Sequence, residues 1–326
     1  MKSIIKTLSV LLALLAALTL ASCGAREESD AGITVVCDIH PYAVLARALL
    51  DGIGTVEQLL PDGGDIHSYE PSPGDIRTLS GADIFFYNGS AADGWADALL
   101  PYVQGSAYRM LEEAGGVLYA GHEEEPSDAH DEHDGHDGHD VHDGHAHTVD
   151  EHVWTSPKNA LRIAERMKSA LSAALEGDSL AALEANAAAL EERIRAIDAE
   201  YTAYFGEARR TLLFGDRFPF AYAARDYGFD WEAVFPGCSA DTEPSAAAVA
   251  SMIARVRDTG APVIFYLYGS GGDIASSIAE QTGVRTAMLY SGLNPDRAAG
   301  RDYLDMLEEN LRVIKEAFGE NGAAAG

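Results

Sequence analysis

The 326-residue sequence has few cysteines and few basic residues, and each scarcity excludes a class of protein. Three cysteines without a CxxC pair exclude a disulfide scaffold and a thioredoxin-like redox motif. The 23 Lys and Arg residues are outnumbered by 52 Asp and Glu residues, which gives a formal net charge of -29. Because phosphate backbones repel a chain this acidic, we expect no nucleic-acid partner. The apolar content of 47% still suffices for hydrophobic cores.

Long apolar runs are confined to the N-terminus. Two lysines precede an apolar run that ends in the sequence LASC at residues 20–23. The run is too short to cross a bilayer comfortably, and small residues before a cysteine resemble the lipobox of bacterial lipoproteins. We therefore predict a signal peptide over residues 1–22, acylation of Cys23 and a tether over residues 23–32. An ordinary signal peptide with an incidental cysteine is the alternative.

Two series of short apolar runs alternate with amphipathic stretches, over residues 33–155 and 211–326. This alternation is typical of mainly parallel sheets flanked by helices. The intervening residues 156–210 are rich in Ala, Leu, Glu and Arg. Ser156 is predicted to cap a first helix with Pro157 in its first turn, and Asp178 or Ser179 to cap a second. The second helix, from Leu180 to about Gly206, would be roughly 40 Å long. We predict an α/β fold whose two lobes are joined by a long rigid helix. A helical hairpin within one lobe is the alternative.

Nine of the eleven histidines lie between residues 122 and 152. The tract HDEHDGHDGHDVHDGHAH has no core-forming content and no Lys or Arg, so we predict a solvated loop over residues 122–150 within the first lobe. Imidazoles and carboxylates attract divalent transition metals, and the loop could capture, buffer or sense zinc. A polar insertion without a metal role is the alternative. The predicted auxiliary ligands are His130, His133, His136, His139, His142, His145 and His147.

Three further residues are candidate ligands of a tighter metal site. His67 follows a predicted strand and a Gly63-Gly64 turn, whereas His152 lies four residues before a predicted helix cap. Asp216 ends the strand TLLFG at the start of the second lobe. Loops at such positions form the crevices of open α/β sheets. Taken singly, each histidine is more often a packed or surface residue than a ligand, so the prediction depends on context.

The surrounding motifs resemble those of metal-binding solute receptors of bacterial zinc and manganese ABC importers. The resemblance rests on HSYEPSPGDI, ADIFFYNG with a following WAD, DEHVWTSPKNA, the long helix and TEPSAAAVASMI, and it covers essentially the whole mature chain. In that family two lobes joined by a rigid helix hold one metal ion in the cleft between them. A His-rich acidic loop before the second ligand marks the zinc members. The resemblance implies that His67 and His152 are the first two ligands.

The chain departs from the family pattern at the third and fourth ligands. The stretch FGDRFPFAYAARDYG has no histidine and carries one extra residue, and Asp216 is its only carboxylate at the right place. A helix N-cap with Arg217 as ion-pair partner is the alternative role for Asp216. The fourth ligand of the family is commonly a carboxylate where this chain reads MLYSGLNPD. Because Asp296 is too far along to assign, water is one way to complete the coordination.

The resemblance implies a lipid-anchored, monomeric, extracytoplasmic receptor rather than an enzyme. It would capture Zn²⁺, with Mn²⁺ as the second candidate, and deliver it to an ABC permease and its ATPase. A manganese- or iron-type receptor, an adhesin or metallochaperone, and a secreted zinc hydrolase are the alternatives, although no HExxH motif supports a hydrolase. Three alternatives stay open for Cys37 and Cys238: a disulfide pair, a zinc ligand or two buried thiols. His40 is predicted to be a structural residue.

Overall fold

The computed structural model describes residues 32–114, 149–235 and 244–319. Several residues of interest lie outside these ranges: the predicted signal peptide, Cys23, Cys238, Glu243 and the seven histidines of the His-rich loop. Within the described residues, no helix has the length and apolar character required to cross a membrane.

The first sheet has four parallel strands in the order β2-β1-β3-β4. β1 lies inside the sheet and all but one of its residues are buried, as expected of a parallel strand covered on both faces. The chain proceeds from β1 to one side and then to the other, so the sheet has a topological switch point between β1 and β3. The strands are β1 (Ile33–Cys37), β2 (Gly54–Gln58), β3 (Ile84–Tyr87) and β4 (Ser106–Arg109).

The second sheet repeats this topology, with four parallel strands in the order β6-β5-β7-β8. Its switch point lies between β5 and β7. Residues 33–113 are called the first lobe below, and the described residues within 211–317 are called the second lobe. The strands are β5 (Thr211–Phe214), β6 (Asp230–Ala233), β7 (Val263–Leu267) and β8 (Arg285–Leu289).

The helices begin and end at residues that favour helix termini. Ser72 and Asp302 each form a capping box, and Gly228, Gly260 and Gly283 end three helices in the left-handed conformation. Two 3₁₀ turns cover Leu100–Tyr102 and Val153–Thr155. The α-helices are α1 (His40–Leu49), α2 (Pro73–Ser80), α3 (Gly94–Leu99), α4 (Met110–Glu113), α5 (Pro157–Ser172), α6 (Gly177–Glu207), α7 (Ala221–Tyr227), α8 (Ala246–Thr259), α9 (Asp273–Thr282) and α10 (Tyr303–Ala317).

The 31-residue helix α6 contacts both lobes. Near its start, the Asn186 side-chain amide donates to the carbonyl oxygen of Leu49 in the first lobe. Near its end, the Tyr201 hydroxyl donates to the carbonyl oxygen of Leu307 in the second lobe. The predicted long connecting helix is therefore confirmed, and a hairpin confined to one lobe is excluded. One apolar core, which includes Val35, Leu190 and Phe214, continues through both lobes and α6.

Two local predictions need correction. Ser156 precedes α5 with Pro157 in its first turn, but its hydroxyl donates to Oδ2 of Asp226 instead of capping the helix. Helix α6 begins at Gly177, so the predicted caps Asp178 and Ser179 lie inside it. Cys37 is a buried free thiol at the end of β1, and burial raises its pKa.

Candidate metal centre

The loop between β2 and α2 carries His67. Asp65 turns this loop, since its Oδ1 accepts the backbone N–H of His67 at 2.9 Å. The Trp95 indole N–H donates to the carbonyl oxygen of Ile66 at 3.0 Å and fixes the loop to the first lobe. The His67 side chain stays 31% exposed, which makes it accessible to an ion from solvent.

The segment that precedes α5 carries three adjacent metal-binding side chains, Asp150, Glu151 and His152. One candidate ligand atom from each lies within 4.8 Å of the others, and among the described residues they form the one such group of three. Oδ1 of Asp150 lies 3.1 Å from Nδ1 of His152 and accepts the His152 backbone N–H at 2.8 Å. The Tyr222 hydroxyl donates to the Asp150 carbonyl oxygen, which ties this segment to α7.

Glu151 brings His67 to this group. Its Oε1 lies 3.1 Å from Nε2 of His67, so side chains 84 positions apart in the sequence meet here. Oε1 of Glu151 is buried and lacks a well-directed hydrogen bond among the described residues, so it keeps unused accepting capacity. Burial raises the pKa of Glu151, but the contact with His67 and the charge of His152 outweigh it and bring the pKa below its ordinary value.

A buried polar network supports Glu151 from the first lobe. The Asn88 side-chain amide, at the end of β3, donates to the carbonyl oxygen of Glu151 and accepts from the Tyr42 hydroxyl. The Asn88 backbone N–H donates to Oδ2 of Asp38, across the switch point. Burial and the nearby Asp93 carboxyl raise the pKa of Asp38 well above its ordinary value. The network fixes the backbone beside His152.

Asp216 lies at the end of β5, buried at the switch point of the second sheet. Its Oδ1 accepts the backbone N–H of Arg217 at 2.8 Å, and its Oδ2 accepts that of Leu267 at 3.0 Å. In the first sheet, Asp38 directly follows β1 and likewise accepts a backbone N–H from the end of the neighbouring strand β3. Asp216 does not cap α7, whose N-cap residue is Phe220. Among the described residues it belongs to no group of three candidate ligands.

The other residues considered at the sequence level have structural roles. The Asp296 carboxylate accepts the Tyr290 hydroxyl at 2.8 Å and the Ala299 backbone N–H at 3.0 Å, which shapes the loop after β8. His40 is buried at the start of α1, as predicted, and burial lowers its pKa.

Sequence reasoning missed Asp150 and Glu151 as parts of the centre. The available signal was their position directly before His152, in the DEH sequence that leads to a buried tryptophan.

The profile of the family described as "zinc-uptake complex component A periplasmic" (ZnuA) matches residues 35–317. The zinc-binding lipoprotein AdcA of Streptococcus pneumoniae serotype 4 is 30% identical over an alignment of 324 residues that covers 98% of this chain. The chain spans 62% of the length of that relative. The high-affinity zinc uptake system protein ZnuA of Bacillus subtilis is 26% identical over 299 residues, and the match covers 90% of each protein.

A solved structure has the same fold over most of the described chain. The crystal structure of the Zn(II)-bound ZnuA-like domain of Streptococcus pneumoniae AdcA superimposes with a TM-score of 0.68 at 25% identity. The match covers 88% of this chain and 98% of that domain. The α/β fold with two parallel sheets and a long helix is therefore confirmed.

Proposed function

Because the chain belongs to the ZnuA family of zinc-uptake complex component A proteins, we propose that it is an extracytoplasmic receptor that captures Zn²⁺ for uptake. In this proposal the zinc ion is the cargo, which the receptor passes to an ABC permease driven by an ATPase. The sequence-based resemblance to metal-binding receptors agrees with this family. The family relationship supports transport rather than hydrolysis, and the absence of enzymatic activity stays a prediction.

The contact between His67 and Glu151 is the observation that carries this proposal. It brings an imidazole from the first lobe to the group formed by Asp150, Glu151 and His152. Imidazole nitrogen and carboxylate oxygen are donors that zinc accepts, and the buried Oε1 of Glu151 without a directed donor suits a cation.

We assign His67 and His152 as the zinc ligands. Asp150 contacts Nδ1 of His152, and a carboxylate on one ring nitrogen is the usual partner of a histidine that binds metal through the other. The ligand atom of His152 would therefore be Nε2. Asp216 is the proposed third ligand, since a carboxylate oxygen that accepts one N–H retains a lone pair for an ion. Water or Glu151 would complete the coordination.

The family relationship also supports a location outside the cytoplasm. Acylation of Cys23 would hold the protein, as a monomer, to the cell membrane, and the seven histidines of the loop would collect zinc from solution. A Cys23→Ser variant is expected to leave the membrane fraction for the soluble fraction. If this variant remained membrane-bound after a salt wash, the proposed lipid anchor would be wrong.

Metal binding by protein purified without added metal tests the function most simply. We expect one tight equivalent of zinc, and manganese is expected to compete weakly, because affinity for divalent ions generally rises from manganese to zinc. A tight site that prefers manganese would favour the manganese-type receptor, and the absence of any tight site would reject the proposal. A zinc-dependent release of product from ester or peptide substrates would instead favour the hydrolase.

A further inference from the structure

The loop that follows β8 contacts both histidine-bearing segments. The Trp154 indole N–H, two residues after His152, donates to the carbonyl oxygen of Ser291 at 2.9 Å. Further along the same loop, Oδ1 of Asn294 accepts the backbone N–H of Gly63 at 2.8 Å. Residues 291–297, called the bridging loop below, therefore connect the second lobe to the surroundings of both predicted ligands.

The Asn294 amide pairs with the backbone of the His67 loop as a peptide group would. Its Oδ1 accepts from Gly63, and its Nδ2 donates to the carbonyl oxygen of Gly64 at 3.3 Å. The hydrogen bond from Gly63 is exposed, whereas the one to Gly64 is partly buried. The His67 loop is thus held on one side by Trp95 of the first lobe and on the other by Asn294 of the second.

An ion pair next to Asn294 also crosses between the lobes. Arg297 lies within 2.8 Å of Oδ2 of Asp62 through both Nε and Nη2. The Arg297 side chain is 72% exposed and that of Asp62 is 40% exposed, and exposed ion pairs contribute little and are screened by salt. The Asn294 amide is therefore the stronger of the two connections.

The bridging loop is itself fixed to the second lobe. The buried Asn310 of α10 accepts the backbone N–H of Tyr290 at 2.7 Å and donates to its carbonyl oxygen at 2.8 Å. The Tyr290 hydroxyl donates to Asp296 on the other side of Asn294. Because both ends of the loop are held, a movement of the second lobe away from the first would pull on Gly63 and Gly64 through Asn294.

We propose that Asn294 is a positioning residue that holds the His67 loop across the cleft and thereby slows the release of the bound metal ion. The inference rests on the proposed function, since it requires His67 to be a ligand. For His67 to withdraw, the loop has to separate from Asn294 and lose two hydrogen bonds. Two hydrogen bonds of ordinary net strength correspond to roughly a 10- to 30-fold change in rate.

Zinc dissociation into excess chelator tests this role in the full chain. Asn294→Ala should release zinc about 10- to 30-fold faster, because both hydrogen bonds are lost. Asn294→Asp keeps the acceptor for Gly63, so it should accelerate release by a smaller factor. The absorption spectrum of the Co²⁺-loaded variants should match that of the wild type, since the metal ligands themselves are unchanged. A changed spectrum would mean that Asn294 acts on the coordination and not on release.

Asn186→Ala is the matched control. The Asn186 amide also donates to two backbone carbonyl oxygens, those of Leu49 and Asp51, but it connects α6 to the first lobe away from the His67 loop. This variant should lose stability and keep the wild-type dissociation rate. If zinc dissociates equally faster from the Asn186 and Asn294 variants, the effect is a general loss of stability, and the proposal is overturned.

Variants of His67 separate this inference from the function on which it depends. If His67→Ala abolishes tight binding while both Asn294 variants release zinc within about twofold of the wild-type rate, the positioning role is rejected and the zinc site stands. If His67→Ala binds zinc as tightly as the wild type, the site assignment fails and the positioning role fails with it. If Asn294→Ala does not fold, the zinc dissociation rate of the nearly isosteric Asn294→Asp variant decides the outcome.

Discussion

One carboxylate, Glu151, joins the two histidines that the sequence marks as ligands. It is 8% exposed, and burial of a carboxylate oxygen without a directed hydrogen bond is costly, so this position favours a cation beside it. Asp150 acts differently, because it holds the imidazole of His152 from the side opposite to the proposed ligand atom. Both roles depend on side-chain positions that only the folded chain defines.

Replacing either histidine by alanine should remove the tight zinc site. We expect affinity to fall by more than about 100-fold, since loss even of a residue that only supports a ligand costs roughly 10- to 100-fold. Calorimetric titration of zinc into His67→Ala and His152→Ala measures this loss. His40→Ala is the control, because His40 is buried in α1 apart from the group of candidate ligands, and it should retain one tight site. Unchanged tight binding in both ligand variants would contradict the assignment.

Asp216 should influence which metal is preferred. A carboxylate is a harder donor than imidazole, so Asp216→His should widen the preference for zinc over manganese, and Asp216→Ala should weaken both metals. Asp216→Ala should also lower the free energy of unfolding by about 1–3 kcal/mol, because two partly buried backbone N–H groups lose their acceptor. Zinc and manganese titrations with urea unfolding of each variant measure both effects.

A purely structural Asp216 would give a different result. In that case the alanine variant would lose stability while both metal affinities stayed at the wild-type level. The third ligand would then have to be sought among Cys238, Glu243 and the loop after Tyr290.

Among the elements, helix α6 was the easiest to predict from sequence. Its Ala-, Leu- and Glu-rich composition has high helix propensity, and the prediction from Leu180 to about Gly206 falls within the observed Gly177–Glu207. The cap of α5 shows why other features were harder. Ser156 has the right residue type to cap that helix, yet its hydroxyl bonds to Asp226, 70 positions later. A contact at that separation depends on the tertiary fold and leaves no local signal.

A proline in the middle of α6 should destabilise the protein strongly. Ala188 is exposed there, so its side chain adds little packing and the effect comes from the backbone. Ala188→Pro removes a helical hydrogen bond and should cost about 3 kcal/mol or more, whereas the control Ala188→Gly should cost about 1 kcal/mol. Equilibrium urea unfolding measures both values. If both substitutions lower the free energy of unfolding by the same small amount, α6 does not need to be continuous at this point.

The His-rich loop should add metal capacity without forming the tight site. Deletion of residues 123–147 should lower the number of zinc ions bound and leave the tightest one, because a loop that chelates must first be ordered at an entropic cost. Zinc stoichiometry and affinity from a chelator competition measure the two quantities separately. Abolition of the tightest site by this deletion would show that the loop supplies its ligands.

At the scale of the whole molecule, the sequence predicts the two sheets and the helix between them but not how they meet. Alternating apolar and amphipathic stretches indicate the parallel strands, and the motifs around His67 and His152 indicate the ligands. The contact of Asn294 with Gly63 joins residues 231 positions apart, and that of His67 with Glu151 depends on a loop conformation. Both contacts follow from the tertiary fold, which no local pattern encodes.

The central claim is that one zinc ion binds between His67 and His152. Anomalous diffraction at the zinc absorption edge, from crystals of the zinc-loaded full chain, tests it most directly. We expect one strong peak at about 2.0–2.1 Å from a ring nitrogen of each of these histidines. A strong peak that contacts neither His67 nor His152, or that lies solely among the histidines of residues 122–147, would contradict it.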